Sequence, residues 1–287
     1  MTALLTVAAC GGTASTRTDY ANPGLLAKGA DLDVDGANQI IIDTRSAAKY
    51  AEGHIENAIN LSPGALDSAT DAGPTFDLRP AAEAAAILGA AGVSSAATII
   101  VYGSDVDAAT GRMFWDLEYL GAANVRILDG GYAKWVADGR PVVTTPTTAP
   151  QAVFTASVDD RRVATKEYIL AHYADTANYA IIDSRNAEDG ADPVWGPGYT
   201  SRHIPNAVNI LVDEFLNTDK TVKSYADLTT LLDAKGVTGG KTVITHCYVG
   251  WRSGQEYFIL RLMGFQARNY EGSWVEWSAD PSLPTEP

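Results

Sequence analysis

The chain is poor in cysteine, in positive charge and in long apolar runs, and each shortage excludes something. Two cysteines in 287 residues, Cys10 and Cys247, cannot build a disulfide framework. Lys and Arg number 21 against 35 Asp and Glu, a net charge of -14. Nucleic acids and anionic membrane surfaces demand clustered basic residues, so neither is expected as a main partner. No segment approaches the roughly 20 consecutive apolar residues of a spanning helix. The four histidines, His54, His172, His203 and His246, fall at no metal-binding spacing, and neither a metal nor a cofactor is expected. What remains is 46% hydrophobic and 20% charged, the composition of a globular protein long enough for two domains.

Because cysteine is so scarce, the setting of Cys247 is informative. It follows the strand-like run Val243, Ile244, Thr245 and precedes Tyr248, Val249, Gly250, Trp251 and Arg252. A helix is expected to begin at Ser253. A thiol between a strand and a helix start is placed for nucleophilic chemistry. Loop amides from Tyr248 to Arg252 are expected to converge there, and the positive end of the helix dipole favours a thiolate. Gly250 permits the tight curvature such a loop needs.

The chain also repeats itself at about half its length. Asp43-Thr44-Arg45 after an isoleucine run matches Asp183-Ser184-Arg185. His54-Ile55 with Ala58 and Asn60 matches His203-Ile204 with Ala207 and Asn209. Leu120-Gly121 matches Met263-Gly264, and Asp129-Gly130-Gly131 with Trp135 matches Glu271-Gly272-Ser273 with Trp277. Four landmarks in the same order mark tandem domains. The expected division is a leader over 1–24, a first domain over 25–143, a Pro- and Thr-rich linker over 144–155 and a second domain over 156–287.

Within each half, apolar runs at 40–42, 99–101, 180–182 and 243–245 read as strands buried on both faces. Helix-like segments lie at 80–88, 113–120, 225–235 and 253–263. Ser224 is placed to cap the third, and Gly121 and Gly264 stand where C-terminal caps belong. The alternation predicts an α/β fold, each domain a mostly parallel sheet flanked by helices. Sites in such sheets form at the carboxyl ends of strands, where Cys247 lies.

These landmarks together resemble the rhodanese family, specifically its tandem-domain sulfurtransferases of the thiosulfate and 3-mercaptopyruvate type. The resemblance covers roughly residues 25–280. It implies an enzyme that moves a sulfane sulfur from a small donor to a thiol or cyanide through a persulfide on Cys247. It also implies a catalytically silent first domain. The position matching Cys247 is Gly103, and Asp105 and Asp107 nearby would repel an anionic substrate.

Loop length separates reaction classes. Protein tyrosine phosphatases and related arsenate reductases place five residues between Cys and Arg; here Tyr248 to Trp251 are four. A shorter loop suits one sulfur atom better than a tetrahedral oxyanion. Phosphatase or arsenate reductase, and a non-catalytic sulfur carrier, stand as alternatives. Family members using thiosulfate carry basic residues after the cysteine, and those using mercaptopyruvate carry small ones with a serine. Tyr248 and Val249 are neither.

Two arginines are candidate substrate-binding groups. Arg252 either faces the cavity and binds a sulfonate or carboxylate bidentately, or points outward. Arg185 either binds the substrate anion or pairs with Asp183. Acidic residues at 188–192 give no support to a two-arginine clamp. Trp251 is expected to pack against the other domain, His246 to support the loop, and the aromatic insertion at 195–199 to cap the cleft or cover the core.

The N-terminal run of Leu4, Leu5, Val7, Ala8 and Ala9 before Cys10 resembles the end of a bacterial lipoprotein signal peptide. That resemblance implies acylation of Cys10 and a lipid-anchored protein of the bacterial cell envelope, in the periplasm. The other readings are an apolar leader with a chance cysteine, and the cytoplasm.

Overall fold

A computed structural model of the chain describes residues 19–32, 39–70, 73–185 and 202–287. Cys10 and the segments 188–192 and 195–199 lie outside them.

The N-terminal half runs β1 Leu26–Ala27, β2 Gln39–Asp43, α1 Ala47–Glu52, β3 Ala58–Asn60, β4 Asp67–Thr70, β5 Gly73–Leu78, α2 Ala81–Ala90, β6 Thr98–Tyr102, α3 Ala108–Tyr119, β7 Asn124–Leu128 and α4 Gly131–Ala137. The C-terminal half runs α5 Lys166–His172, β8 Tyr179–Asp183, β9 Ala207–Asn209, α6 Tyr225–Ala234, β10 Thr242–His246, α7 Arg252–Met263, β11 Gln266–Asn269 and α8 Ser273–Ala279. Each half builds one parallel sheet, in the order β1-β7-β6-β2-β3 and β11-β10-β8-β9. In the second sheet the strand order reverses between β8 and β10, where parallel sheets open a crevice at their carboxyl ends. Cys247 directly follows β10.

The four apolar runs are the four central strands, each extended by one residue at either end. Ser224 caps α6 by accepting from the Asp227 N–H, and Gly264 closes α7 at φ 94. One helix departs from expectation. α3 begins at Ala108, five residues before the predicted 113, because Asp107 caps it by accepting from the Thr110 N–H. Apolar periodicity alone hid this first turn.

The repeated motifs are structural staples. In both halves the arginine of the Asp-x-Arg motif folds back on its own aspartate, with Nη2 2.6 Å from the carboxylate in Arg45–Asp43 and again in Arg185–Asp183. Asn60 and Asn209 then donate to the carbonyls of both motif residues. His54 and His203 pair antiparallel with Val143 and Glu286, and Trp135 and Trp277 donate to the Pro141 and Pro284 carbonyls. Each domain thus ties down its own C-terminal tail.

The halves meet through α3 and α7. Both helices are buried almost all round, although both carry charge. They cross at glycine: a Cβ on Gly111 would stand 2.3 Å from the Gln255 Cα, and one on Gly254 2.9 Å from the Arg112 Cα. The exchange is reciprocal. Asp129 accepts from the Val222 N–H of the other half, and its counterpart Glu271 accepts from the Leu78 N–H. The antiparallel hairpin β4–β5 is thereby anchored against the loop that carries Cys247.

Candidate active site

Cys247 is 1% exposed, at the base of a pocket of about 240 Å³ lined by Phe76, Tyr248, Val249, Trp251 and Arg252. Of the loop amides expected to converge, that of Gly250 donates to Sγ at 3.2 Å. The Ser253 hydroxyl lies 3.8 Å from Sγ and donates to Asn269 Oδ1 at 2.7 Å. Asn269 in turn donates to the Gly250 carbonyl. The loop is pinned from below as well: the Cys247 N–H donates to Ser273 Oγ, and the Cys247 and Tyr248 carbonyls accept from the Trp274 and Val275 N–H groups. Ser273, at φ 51, holds the left-handed position that Gly131 holds at φ 56 in the other half. A serine replacing a repeated glycine was the sequence signal for this role.

Gly250 sits at φ 80, and a Cβ there would stand 2.6 Å from both Cα and O of Glu271. Gly250→Ala is therefore expected to destabilise the protein by about 2 kcal/mol or more, as strain and overlap in a fixed loop do. The displaced amide also leaves Sγ, so alkylation of Cys247 by iodoacetamide should slow. Parent-like melting and alkylation would show that the loop does not depend on this turn.

The Gly103 loop shows what the other half lost. It has the same length and the same supports, with the Gly103 and Ser104 carbonyls accepting from Tyr132 and Ala133. A side chain occupies its Ser104 amide and the first turn of α3: Ser104 and Thr110 N–H donate to the Asp107 carboxylate at 3.1 and 2.9 Å. Asp107 is therefore a built-in anion and a helix cap, rather than only a repulsive charge.

Arg185 is held close to Asp183. Its Nε and Nη2 both engage Asp183, its Nη2 also donates to the Arg202 carbonyl, and its guanidinium lies 4.3 Å from the Trp274 ring centroid. The ion-pair alternative is the geometry found. Burial works against ionised Asp183, but His246 and Arg185 outweigh it and hold the carboxyl below its ordinary value. His246 is fully buried, pushed below its ordinary value by burial, and its Nδ1 faces the Cys247 carbonyl rather than Sγ. It supports the loop.

Arg252 lines the pocket, the cavity-facing one of its two expected positions. Trp251 packs between domains as expected, its Nε1 donating to Asp67 Oδ2 at 3.1 Å, and it lines the pocket too.

Two buried features were not legible as site residues. Glu256 is fully buried on α7 and pushed well above its ordinary value by burial. The Ser184 hydroxyl lies between the His246 carbonyl and Glu256. Ser184 donates to Glu256 Oε2, which opposes part of that rise. The second feature is Arg112 of α3, fully buried between Asp116 at 2.8 Å, Glu271 at 3.1 Å and Asp67 at 3.4 Å. Asp67 holds Trp251 and the Glu271 backbone abuts Gly250, so both arms of this cluster end on the Cys247 loop. The signal was an i, i+4 Arg–Asp pair inside an apolar helix. Among the described residues no three His, Cys, Asp or Glu side chains gather into a metal-binding group.

Compared with known proteins, the family described as "Rhodanese-like domain" matches the chain twice, over residues 27–138 and 165–280. The chain is 30% identical to the "Thiosulfate sulfurtransferase" of Azotobacter vinelandii over 276 residues, 93% of this chain and 99% of that one. It is 31% identical to the protein of the same description from Pseudomonas aeruginosa, over 86% of this chain and 90% of that one. The "Sulfur carrier protein TtuD" of Thermus thermophilus is 30% identical over 65% of this chain and 70% of that one. Among solved structures, the anaerobic ergothioneine biosynthesis enzyme from Chlorobium limicola superposes with a TM-score of 0.76 at 23% identity, over 88% of this chain. This chain spans 65% of that enzyme's length, and the likeness is one of fold.

Proposed function

The chain belongs to the rhodanese-like family as a tandem-domain sulfurtransferase, and we propose that it carries sulfane sulfur as a persulfide on Cys247. The donor is a small molecule of the thiosulfate or 3-mercaptopyruvate class, and the acceptor a thiol or cyanide. One observation carries the reading: Cys247 alone of the two equivalent loop positions is a thiol, and its Sγ accepts a loop amide at the base of a pocket. The Gly250 N–H that meets the thiolate can also stabilise the persulfide anion. With thiosulfate, the thiolate attacks the outer sulfur, the S–S bond of the donor breaks, and its electron pair leaves with sulfite. Phosphatase chemistry is set aside, because the family is one of sulfurtransferases and the four-residue loop is shorter than such enzymes use.

Incubation with thiosulfate or 3-mercaptopyruvate is expected to add one sulfur atom to the Cys247 peptide by mass spectrometry, removable by cyanide. No gain with either donor would reject the reading.

For localisation, the proposal is a lipid anchor on Cys10 in the bacterial envelope, supported by the apolar run ending at that cysteine. Expressed in a bacterium, the chain should incorporate labelled fatty acid and Cys10→Ser should not. Equal labelling, or none in the parent, would end that proposal.

A further inference from the structure

We propose that Phe76, from the half that carries no nucleophile, sets the size of the acceptor that reaches Cys247, admitting small thiols and excluding bulky ones; the inference rests on the sulfurtransferase reading. Among the described residues that line the catalytic pocket, all but Phe76 fall within 247–252, the catalytic loop itself. Phe76 is the first half's contribution to that wall.

Volume gives the wall its meaning. The pocket measures about 240 Å³, below the roughly 300 to 1,000 Å³ of sites for ordinary organic ligands. Next to it lies a groove of about 680 Å³, which is within that range. Pocket and groove share Phe76, Tyr248 and Val249, so these three side chains form the partition between them. Tyr248 and Val249 belong to the loop that holds the nucleophile. Phe76 is the part of the partition that a substitution removes without touching that loop. The partition acts on size and not on charge, so an anionic donor as small as thiosulfate passes as a small neutral thiol does.

The backbone shows how the ring is placed. Strands β4 and β5 pair at Asp67–Leu78 and again at Ala69–Pro74, so two steps along β4 answer four along β5. Phe76 is the middle residue of that bulge and sits at φ 62. Glycine and asparagine enter this left-handed region readily, and a bulky side chain rarely does. Bulges beside active sites re-aim a side chain, and strained residues gather there. The base of the hairpin is fixed to the catalytic half on both strands. Asp67 accepts from Trp251 Nε1, and the Leu78 N–H donates to Glu271. So anchored, the bulge holds the ring against the Cys247 loop.

The step limited by the partition needs no further reagent. The acceptor thiolate attacks the outer sulfur of the Cys247 persulfide, and a new S–S bond forms to the acceptor. The bond to Sγ breaks, its electron pair returns Cys247 to thiolate, and the acceptor leaves as a persulfide anion.

The test uses full-length protein loaded with sulfur and desalted, then mixed with 2-mercaptoethanol or with N-acetylcysteine amide. Both are uncharged apart from the thiol, and they differ in bulk. Rates are taken per thiolate. The parent is expected to be discharged roughly tenfold or more faster by 2-mercaptoethanol. In Phe76→Gly that ratio should fall towards one because the bulky thiol accelerates, while the rate with 2-mercaptoethanol stays within about twofold. Phe76→Asn, which also tolerates the left-handed backbone, should behave as Phe76→Gly does, and Phe76→Leu, which keeps the bulk, should retain the parent's preference. No preference in the parent, a ratio unmoved in both small variants, or equal acceleration of both thiols would overturn the inference alone. Failure of Cys247 to load in the parent sinks the sulfurtransferase reading and the inference with it.

Discussion

Cys247→Ser is expected to fold as the parent does and to lose sulfur transfer by about 10⁴-fold or more in kcat/KM, as removal of covalent nucleophiles does. Serine differs from cysteine by one atom, and the Gly250 N–H can meet its oxygen as it meets Sγ. The melting temperature should therefore barely move. Serine has no accessible anion at neutral pH and cannot carry the sulfur. The more demanding form of the test adds Gly103→Cys to Cys247→Ser. If the two loops were interchangeable, this double variant would regain activity. It is expected to regain none. A Cβ on Gly103 would stand 2.3 Å from Thr110 Oγ1 and 2.6 Å from Asp107 Oδ2, and that carboxylate already holds the Ser104 and Thr110 amides. Sulfur transfer by the double variant, measured with any donor that loads the parent, would contradict this account of the silent half.

Arg112→Met is expected to be the most damaging substitution away from the pocket. Arg112 is fully buried and faces three carboxylates, those of Asp67, Asp116 and Glu271. Burial pushes Asp67 up to about 6 and Asp116 up to about 7, and it raises Glu271 as well; Arg112 opposes the rise in all three. Without the guanidinium these acids are buried together unpaired, a loss of about 3–5 kcal/mol. The sign of the pH dependence follows. An acid whose folded pKa lies above its unfolded value binds more protons when folded, so stability falls as pH rises through the folded value. Removing Arg112 raises those values further. The deficit should be largest above about pH 7 and shrink as pH falls below about 6, where the acids are protonated and carry no charge. Thermal melts of parent and variant across that range check it. A deficit independent of pH would mean the residue acts by packing alone. Activity should fall with stability, because Asp67 holds Trp251 and the Glu271 backbone abuts Gly250.

Much of the fold was legible because its local signals agree. The runs at 40–42, 99–101, 180–182 and 243–245 are apolar on both faces, and only a buried parallel strand accommodates that pattern. The paired landmarks were legible as well, but their meaning was not. Arg185 reads in sequence either as a group that binds the substrate anion or as the partner of Asp183. The fold-back onto Asp183, repeated by Arg45 on Asp43, is visible only in the folded chain. Asp107 looked like a repulsive charge, and its N-capping geometry makes it the occupant of a vacated cradle.

By itself the sequence determined two tandem parallel-sheet domains, one nucleophile at the end of a strand, and a loop of the right length for sulfur. Hydrophobic periodicity and loop length are local properties, and spacing along the chain carries them. Tertiary structure alone decided what surrounds the nucleophile. Phe76 lines the Cys247 pocket from the other half, Asp67 holds Trp251, and Arg112 ties Asp67 to Glu271 across the Gly111–Gly254 crossing. Residues so far apart in sequence meet only after two cores have packed, and no local pattern along the chain encodes that meeting.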